Sequence, residues 1–206
     1  NPARPATDYK IREARKAGVK TIVIDPRKTP SATKADLWLP LRHGTDPALL
    51  LGMANIIIQE DLYDHEFVKN WCHGFAEVVE RVKDYTPEKV SRITGLPAGA
   101  IRKAALMYVN NKPASICEGM GIEQSRNCTA GLHARWILAA ITGNIDIEGG
   151  EELRPQQLPN VISNAEISMD SALPEEQREK QVGLEFKLFS YDGQDIIRKA
   201  MEKSWG

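Results

Sequence analysis

The sequence predicts an α/β fold, a parallel sheet flanked by helices. Three observations carry that expectation. Short apolar runs alternate with segments of helical period through the first 150 residues, the pattern of βα units. The run Thr21-Ile22-Val23-Ile24 is β-branched throughout and nearly all apolar, as a central strand covered on both faces requires. It then passes directly into Asp25-Pro26-Arg27, and parallel α/β sheets bind ligands where strands end and loops begin.

The elements follow in order. Thr7-Asp8 can cap a first helix reaching Ala17, with Gly18 as its stop and Ile11 and Ala14 facing inward. The strand at 21–24 comes next, and residues 37–41, Leu-Trp-Leu-Pro-Leu, form a second strand candidate. Thr45 or Asp46 then caps a helix over 47–59, with Pro47 in its first turn. That helix is apolar nearly all round and belongs in the core. Asp64 opens a helix to about Trp71, Gly74 breaks it, and 75–82 follows. Thr86-Pro87 starts a segment that Gly95 stops, and Leu96-Pro97 begins a helix through Tyr108. Residues 114–118 are a third strand candidate ending in Gly119-Met120-Gly121, and 127–142 form a long apolar helix closed by Gly143-Asn144. After Gly149-Gly150 the composition turns to Pro, Gln and Asn with little periodicity. This irregular C-terminal extension, 151–206, reads as a segment that packs on a neighbouring domain, with possible helices at 173–181 and 192–203.

Of the 206 residues, 27 are basic and 28 acidic, so the net charge of −1 leaves no footprint for nucleic acid or an anionic membrane. No apolar run approaches the roughly 20 residues of a membrane span. Cys72, Cys117 and Cys128 are three and widely spaced, which fits neither a metal site nor a disulfide framework. His43, His65, His73 and His133 share no metal-type spacing. Gly-x-Ser-x-Gly, the P-loop and Gly-x-Gly-x-x-Gly are all missing, so hydrolase, NTPase and NAD readings lack their usual motifs.

In an α/β sheet the chemistry falls to three loops that leave strand ends: 25–29, 41–46 and 119–124. Asp25 can accept hydrogen bonds from a guanine edge or a ribose, or it can be a turn aspartate. Arg27 and Lys28 can meet phosphate oxygens, or remain solvated surface charges. Gly44-Thr45-Asp46 at a helix start offers free N–H groups to an anion, or simply caps its own helix. Gly119-Met120-Gly121 lets a ligand approach the backbone, or makes a tight turn.

Together these loops resemble the molybdopterin oxidoreductase family, in which molybdenum or tungsten is carried by two pterin guanine dinucleotides. The resemblance rests on Asn1-Pro2, Ile24-Asp-Pro-Arg-Lys-Thr29, Ala35-Asp-Leu-Trp-Leu-Pro40 and Gly44-Thr-Asp46 with Ala48-Leu49. It continues through Asp61-Leu-Tyr-Asp64 with Phe67-Val68, Gly119-Met-Gly121 with Gln124, and Thr142-Gly-Asn-Ile-Asp146. It covers about residues 1–150 in order. The resemblance implies a Rossmann-like domain over 1–150 that holds one molybdopterin guanine dinucleotide. The family's contacts then fall on Asp25, Pro26, Arg27, Lys28 and Thr29, on Gly44, Thr45 and Asp46, and on Met120 and Gln124. Asp25 and Asp46 would address the guanosine end, Met120 and Gln124 the pterin.

The same resemblance implies a piece of a longer enzyme. The family carries a strand ending Trp-Gly-x-Asn-Pro before this domain, and only Asn1-Pro2 stands here, so the sheet is expected to lack its first strand. The cysteines of a [4Fe-4S] cluster and the metal-ligating residue are expected upstream, and a closing domain downstream. No initiator Met or signal segment is present, and the parent can be cytoplasmic or periplasmic. Its partners would be the remaining domains and electron-transfer subunits, as in anaerobic respiration, and the chain alone is expected to be inactive. The Gly-Asn-Ile-Asp…Gly-Gly ending, with Gly149 and Gly150, resembles the thiosulfate and polysulfide reductase and acetylene hydratase branches more than formate dehydrogenase, and the thiosulfate and polysulfide branch is favoured. Two alternatives stand beside it: part of an acetylene-hydratase-like lyase, and a non-catalytic α/β assembly module that has lost the cofactor.

Overall fold

The computed structural model describes residues 5–153 and 174–178. The chain divides into two compact units, Asn1–Leu153 and Arg154–Gly206. The first unit opens with α1 (Pro5–Lys16), β1 (Ile22–Ile24), α2 (Pro30–Thr33) and β2 (Leu37–Leu39). It continues with α3 (Asp46–Gln59), α4 (His65–Trp71), α5 (Phe75–Val82), α6 (Pro87–Thr94) and α7 (Ala98–Asn110). The short α8 (Met120–Glu123) and the long α9 (Cys128–Ile141) complete it, and α10 (Glu175–Arg178) lies in the second unit.

This is an α/β unit. β1 and β2 are parallel, with Ile22 opposite Leu37, Val23 opposite Trp38 and Ile24 opposite Leu39. Parallel neighbours need a crossover, and the segment carrying α2 supplies it. Thr29 starts α2: its Oγ1 accepts from Ala32 N–H at 3.2 Å, and Pro30 takes the first turn. Asp36 secures the entry to the sheet, accepting from the Thr21 amide at 2.8 Å and the Thr21 hydroxyl at 3.2 Å. The Thr21 amide above all, with Lys20 beside it, holds the Asp36 carboxyl below the usual range. β1, expected to be a central strand, is half-buried and among the described residues pairs on one side only.

The core is built around α3. Residues 48–57 of this helix are buried without interruption, as its all-round apolar sequence requires. It packs on α9, α7, α6 and α5. The one polar side chain in that stretch, Asn55, is satisfied by donating to the Val82 carbonyl at 3.0 Å. Gly52 lets α6 approach: a Cβ there would lie 2.8 Å from Val90 Cγ2. α4 starts as expected at Asp64, whose Oδ1 accepts from Phe67 N–H at 2.9 Å, and α6 ends as expected at Gly95, with φ +79°.

Four expectations are corrected. α1 begins at Pro5, ahead of Thr7-Asp8, and Ile11 is 39% exposed on it. Thr45 occupies the N-cap position of α3 without capping it, because its hydroxyl donates to the Arg42 carbonyl at 2.6 Å instead. The helix expected from Leu96-Pro97 begins at Ala98 and runs two residues beyond Tyr108, to Asn110. Residues 114–118 form no strand, since side chains occupy the backbone groups that a strand would offer to a neighbour. Of the helix expected at 173–181, α10 is the described part; the one expected at 192–203 lies outside the described residues. Among the described residues no helix is long and apolar enough to cross a membrane.

Candidate functional site

The parallel pairing sends the ends of β1 and β2 the same way, so the first two loops leave from one edge of the unit. Asp25 continues the ladder by one bond, its N–H donating to Leu39 O at 3.3 Å. Its own carbonyl accepts from Trp38 Nε1 at 2.8 Å, which locks the strand end to β2. Its Oδ1 accepts from Arg27 N–H at 2.8 Å, an Asx turn. Asp25 is therefore the turn aspartate of the bland reading. Its Oδ2 nevertheless makes no hydrogen bond among the described residues, so the turn and a ligand contact are compatible. Pro26, Arg27 and Lys28 project from this turn and are exposed, while Thr29 is half-buried at the start of α2. Arg27 Nε is 3.9 Å from Asp25 Oδ1 with a side chain 83% exposed, too loose a pair to tie the guanidinium down. Lys28 Nζ stands 5.8 Å from the Trp38 ring centroid.

The second loop is anchored from behind. Arg42 N–H donates to Thr94 O at 2.9 Å, and Arg42 Nη1 donates to Arg92 O at 2.7 Å and Ile93 O at 3.2 Å. These are carbonyls at the C-terminal end of α6, where the helix dipole favours a cation. Gly44 turns the chain with φ +73°, and a Cβ there would meet nothing within 4 Å. The glycine is thus needed for the left-handed turn, and its face is open. Ala48 and Leu49 donate to Thr45 O, while the amides of Gly44 and Asp46 donate to no backbone carbonyl among the described residues.

The third loop, 119–124, folds into α8. Gln124 N–H donates to Met120 O at 2.9 Å, Met120 is 60% exposed and Gln124 is exposed. Its inner residue, Ile122, packs on α9 at Gly131. A Cβ at Gly131 would lie 2.8 Å from Ile122 Cγ1 and 3.5 Å from Pro47 Cγ. That missing Cβ brings the third loop against the start of α3, beside Asp46. The structure therefore joins the second and third loops through Gly131, and the first and second through the sheet.

Three features were not found in the sequence. Trp38 and Arg42 brace the first and second loops. Arg135 and Glu151, both buried, grip the backbone that leads into the third. A signal existed for Trp38 and Arg135: an indole N–H in an apolar strand must find a partner, and an arginine inside the apolar α9 must be paired. Glu118 Oε2, before the third loop, pairs with Arg135 Nε at 2.6 Å, while Ser125 Oγ after it and Arg135 Nη1 behind it are buried without a hydrogen-bond partner among the described residues. Cations, a carboxylate oxygen, open amides and a glycine-lined loop suit a long polar ligand with anionic groups. His65 is an exposed partner of Asp61 at 3.1 Å, burial pushes the Cys72 thiol up, and Cys117 and Cys128 are free thiols. No group of three or more His, Cys, Asp or Glu among the described residues could hold a metal ion.

Comparison with known proteins adds the following. The family model described as molybdopterin oxidoreductase matches residues 1–188. Acetylene hydratase of Syntrophotalea acetylenica is 44% identical over 197 residues, 95% of this chain and 27% of its own length. Formate dehydrogenase H of Escherichia coli is 42% identical over 147 residues, covering 70% of this chain and 21% of its own. The solved structure of acetylene hydratase from Pelobacter acetylenicus superposes with a TM-score of 0.70 at 43% identity, over 96% of this chain and 27% of that one. The chain thus spans about a quarter of the length of these relatives. The expected leaning to the thiosulfate and polysulfide reductase branch is not supported by these relatives. The glycines that suggested it serve packing instead. Gly143 and Gly149 take φ +61° and +81°, and a Cβ at Gly150 would lie 2.5 Å from the Asn144 carbonyl oxygen. Such glycines follow from the local fold and do not distinguish one reaction from another.

Proposed function

Because the chain belongs to the molybdopterin oxidoreductase family, we propose that residues 1–150 form a Rossmann-like domain that binds and orients one molybdopterin guanine dinucleotide. The observation that carries this reading is the approach of three glycine- and charge-bearing loops, with Asp25 Oδ2 and the Gly44 and Asp46 amides left without partners among the described residues. Asp25 and Asp46 accept hydrogen bonds at the guanosine end, and Arg27 and Lys28 meet the phosphates, with Pro26 and Thr29 shaping their turn. Gly44 and Thr45 present backbone to the ligand, and Met120 and Gln124 meet the pterin. The open face of Gly44 and the Ser125 hydroxyl, buried and without a partner among the described residues, fit such a group. When bound, the pterin and its molybdenum or tungsten supply the chemistry of the reaction. This chain's part is to hold, orient and shield. A [4Fe-4S] cluster, electron-transfer subunits and a domain that residues 151–206 pack against belong to the proposed parent.

The test uses the full-length parent. Asp25→Ala and Asp46→Ala each lower guanine-nucleotide and metal content per mole of purified protein. Unchanged content in both variants would remove these residues from the site.

For the parent's reaction, a lyase reading is favoured by the extent of the match. Acetylene hydratase aligns with 95% of this chain, and formate dehydrogenase H with 70%. We expect the anaerobically purified parent to hydrate acetylene and not to oxidise formate. Formate oxidation without acetylene hydration would reverse the assignment, and protein free of molybdenum and tungsten would leave an assembly module.

A further inference from the structure

The segment 114–118 feeds directly into the loop that carries Met120 and Gln124, and side chains hold it in place of a neighbouring strand. Ala114 N–H donates to Asn144 Oδ1 at 3.0 Å, and two residues on Ile116 N–H donates to Glu151 Oε1 at 2.6 Å. The Ile116 carbonyl accepts from Arg135 Nε at 3.0 Å and from Nη2 at 2.8 Å. Nη2 also donates to Glu151 Oε2, and Nε pairs with Glu118 Oε2 at 2.6 Å, so the guanidinium sits between two carboxylates. A spacing of two is the period at which one edge of a strand offers its hydrogen bonds. Asn144, Glu151 and Arg135 thus stand where a partner strand would stand.

The clasp is built with care. Asn144 is fully buried, and its Nδ2 donates to Thr142 Oγ1 at 2.8 Å, which fixes which way the amide points. Glu151 is seated by its own backbone, donating to Asn144 O at 2.7 Å and accepting from Asp146 N–H at 2.8 Å. The Arg135 and Glu151 side chains are 7% and 11% exposed, and the guanidinium lies 4.4 Å from the Trp136 ring centroid. A buried ion pair is a poor way to gain stability, and its best-attested use is to fix a register. Here both backbone groups of one residue, Ile116, are taken by the two members of one pair. Apolar side chains could fill the same volume but could not set that register.

We propose that Arg135 and Glu151 are positioning residues for the dinucleotide: by clamping Ile116 they set where Met120 and Gln124 stand. The inference rests on the proposed function, through the assignment of those two residues to the cofactor. Neither Arg135 nor Glu151 is required to touch it.

The test compares Glu151→Gln, Glu151→Asp and Arg135→Lys in the full-length parent. Glutamine is isosteric with glutamate, but it replaces one of the two acceptor oxygens with an NH2 that faces either Ile116 N–H or Arg135. Aspartate is shorter but keeps both acceptors. Lysine keeps the charge but cannot donate to Ile116 O and Glu151 in the fixed fork of arginine. Expected are nucleotide and metal contents that fall about tenfold in Glu151→Gln and Arg135→Lys, the usual scale for outer-shell partners, and less in Glu151→Asp. Hydrogen exchange in cofactor-free protein rises at 114–124 and stays unchanged in α3 and α7. A role in packing alone predicts the opposite order, with the isosteric glutamine better tolerated than aspartate, and exchange raised across the core; either result overturns the proposal. Asp25→Ala and Asp46→Ala run alongside. If they lower cofactor content and Glu151→Gln does not, the clamp fails alone; if they leave it unchanged, the site reading fails first.

Discussion

Asp64 serves three contacts at the start of α4. Its Oδ1 accepts from Phe67 N–H at 2.9 Å, its Oδ2 pairs with Lys112 Nζ at 3.2 Å, and its N–H donates to Ile141 O at 2.7 Å. The Phe67 amide first, then Lys112, hold its carboxyl below the ordinary value. A depressed native value means that stabilisation is complete above the unfolded value and is lost as pH falls through the native one. We therefore expect Asp64→Ala to cost about 1 kcal/mol at neutral pH, the usual scale of a lost N-cap. Measured by urea unfolding, that deficit should shrink as pH falls below about 4, where free aspartate begins to protonate. A deficit independent of pH would show that the carboxylate's charge is not involved. This cap was legible in the sequence, because its signal, an aspartate three residues before Phe67, is local. Arg135 and Glu151 were not, because their meaning depends on Ile116, which lies 19 and 35 residues away.

The same distinction holds for whole elements. α3 was readable from its unbroken apolar run, α5 from the break at Gly74, and α6 from its Thr86 cap and the stop at Gly95, all of which act within a few residues. Residues 114–118 carried a strand's apolar pattern but not its partner, and pattern alone cannot say whether a strand or a set of side chains receives the backbone bonds. Helix contacts lie between these cases. The sequence places α3 in the core, but only packing shows that Gly52 is the point where α6 crosses it, with Val90 Cγ2 2.8 Å from where a Cβ would sit. Gly52→Ala should destabilise the unit by about 1–3 kcal/mol, since Val90 is fully buried and its branched side chain has little room to move. Val90→Ala should be destabilising by itself through the cavity it leaves. Combined, the two should cost less than their sum by about 0.5–3 kcal/mol, the range for residues in contact. Strict additivity in a double-mutant cycle would mean that the helices do not meet at this point.

At the scale of the molecule, the candidate site is a meeting of loops, each tied to another part of the fold. Trp38 holds the first from β2, Arg42 ties the second to the end of α6, and the Arg135–Glu151 pair holds the third from α9 and the chain beyond it. The sequence showed the loops because strand ends and glycines are local, and it left out the supports because each spans the fold. That architecture makes a distinctive prediction for binding. A ligand that contacts only one loop would protect only that stretch of backbone. A dinucleotide lying across all three should slow hydrogen exchange together at 25–29, 42–46 and 119–124 when cofactor-loaded parent is compared with cofactor-free parent. Binding to the native state alone also stabilises it by mass action, so the loaded parent should unfold at a higher temperature. α7 lies outside the three loops and should show no local protection beyond that global gain. The decisive stretch is 119–124, the loop that the Arg135–Glu151 pair holds through Ile116. Protection at 25–29 and 42–46 without it would confine the chain's contacts to the guanosine end and leave the pterin to other domains of the parent.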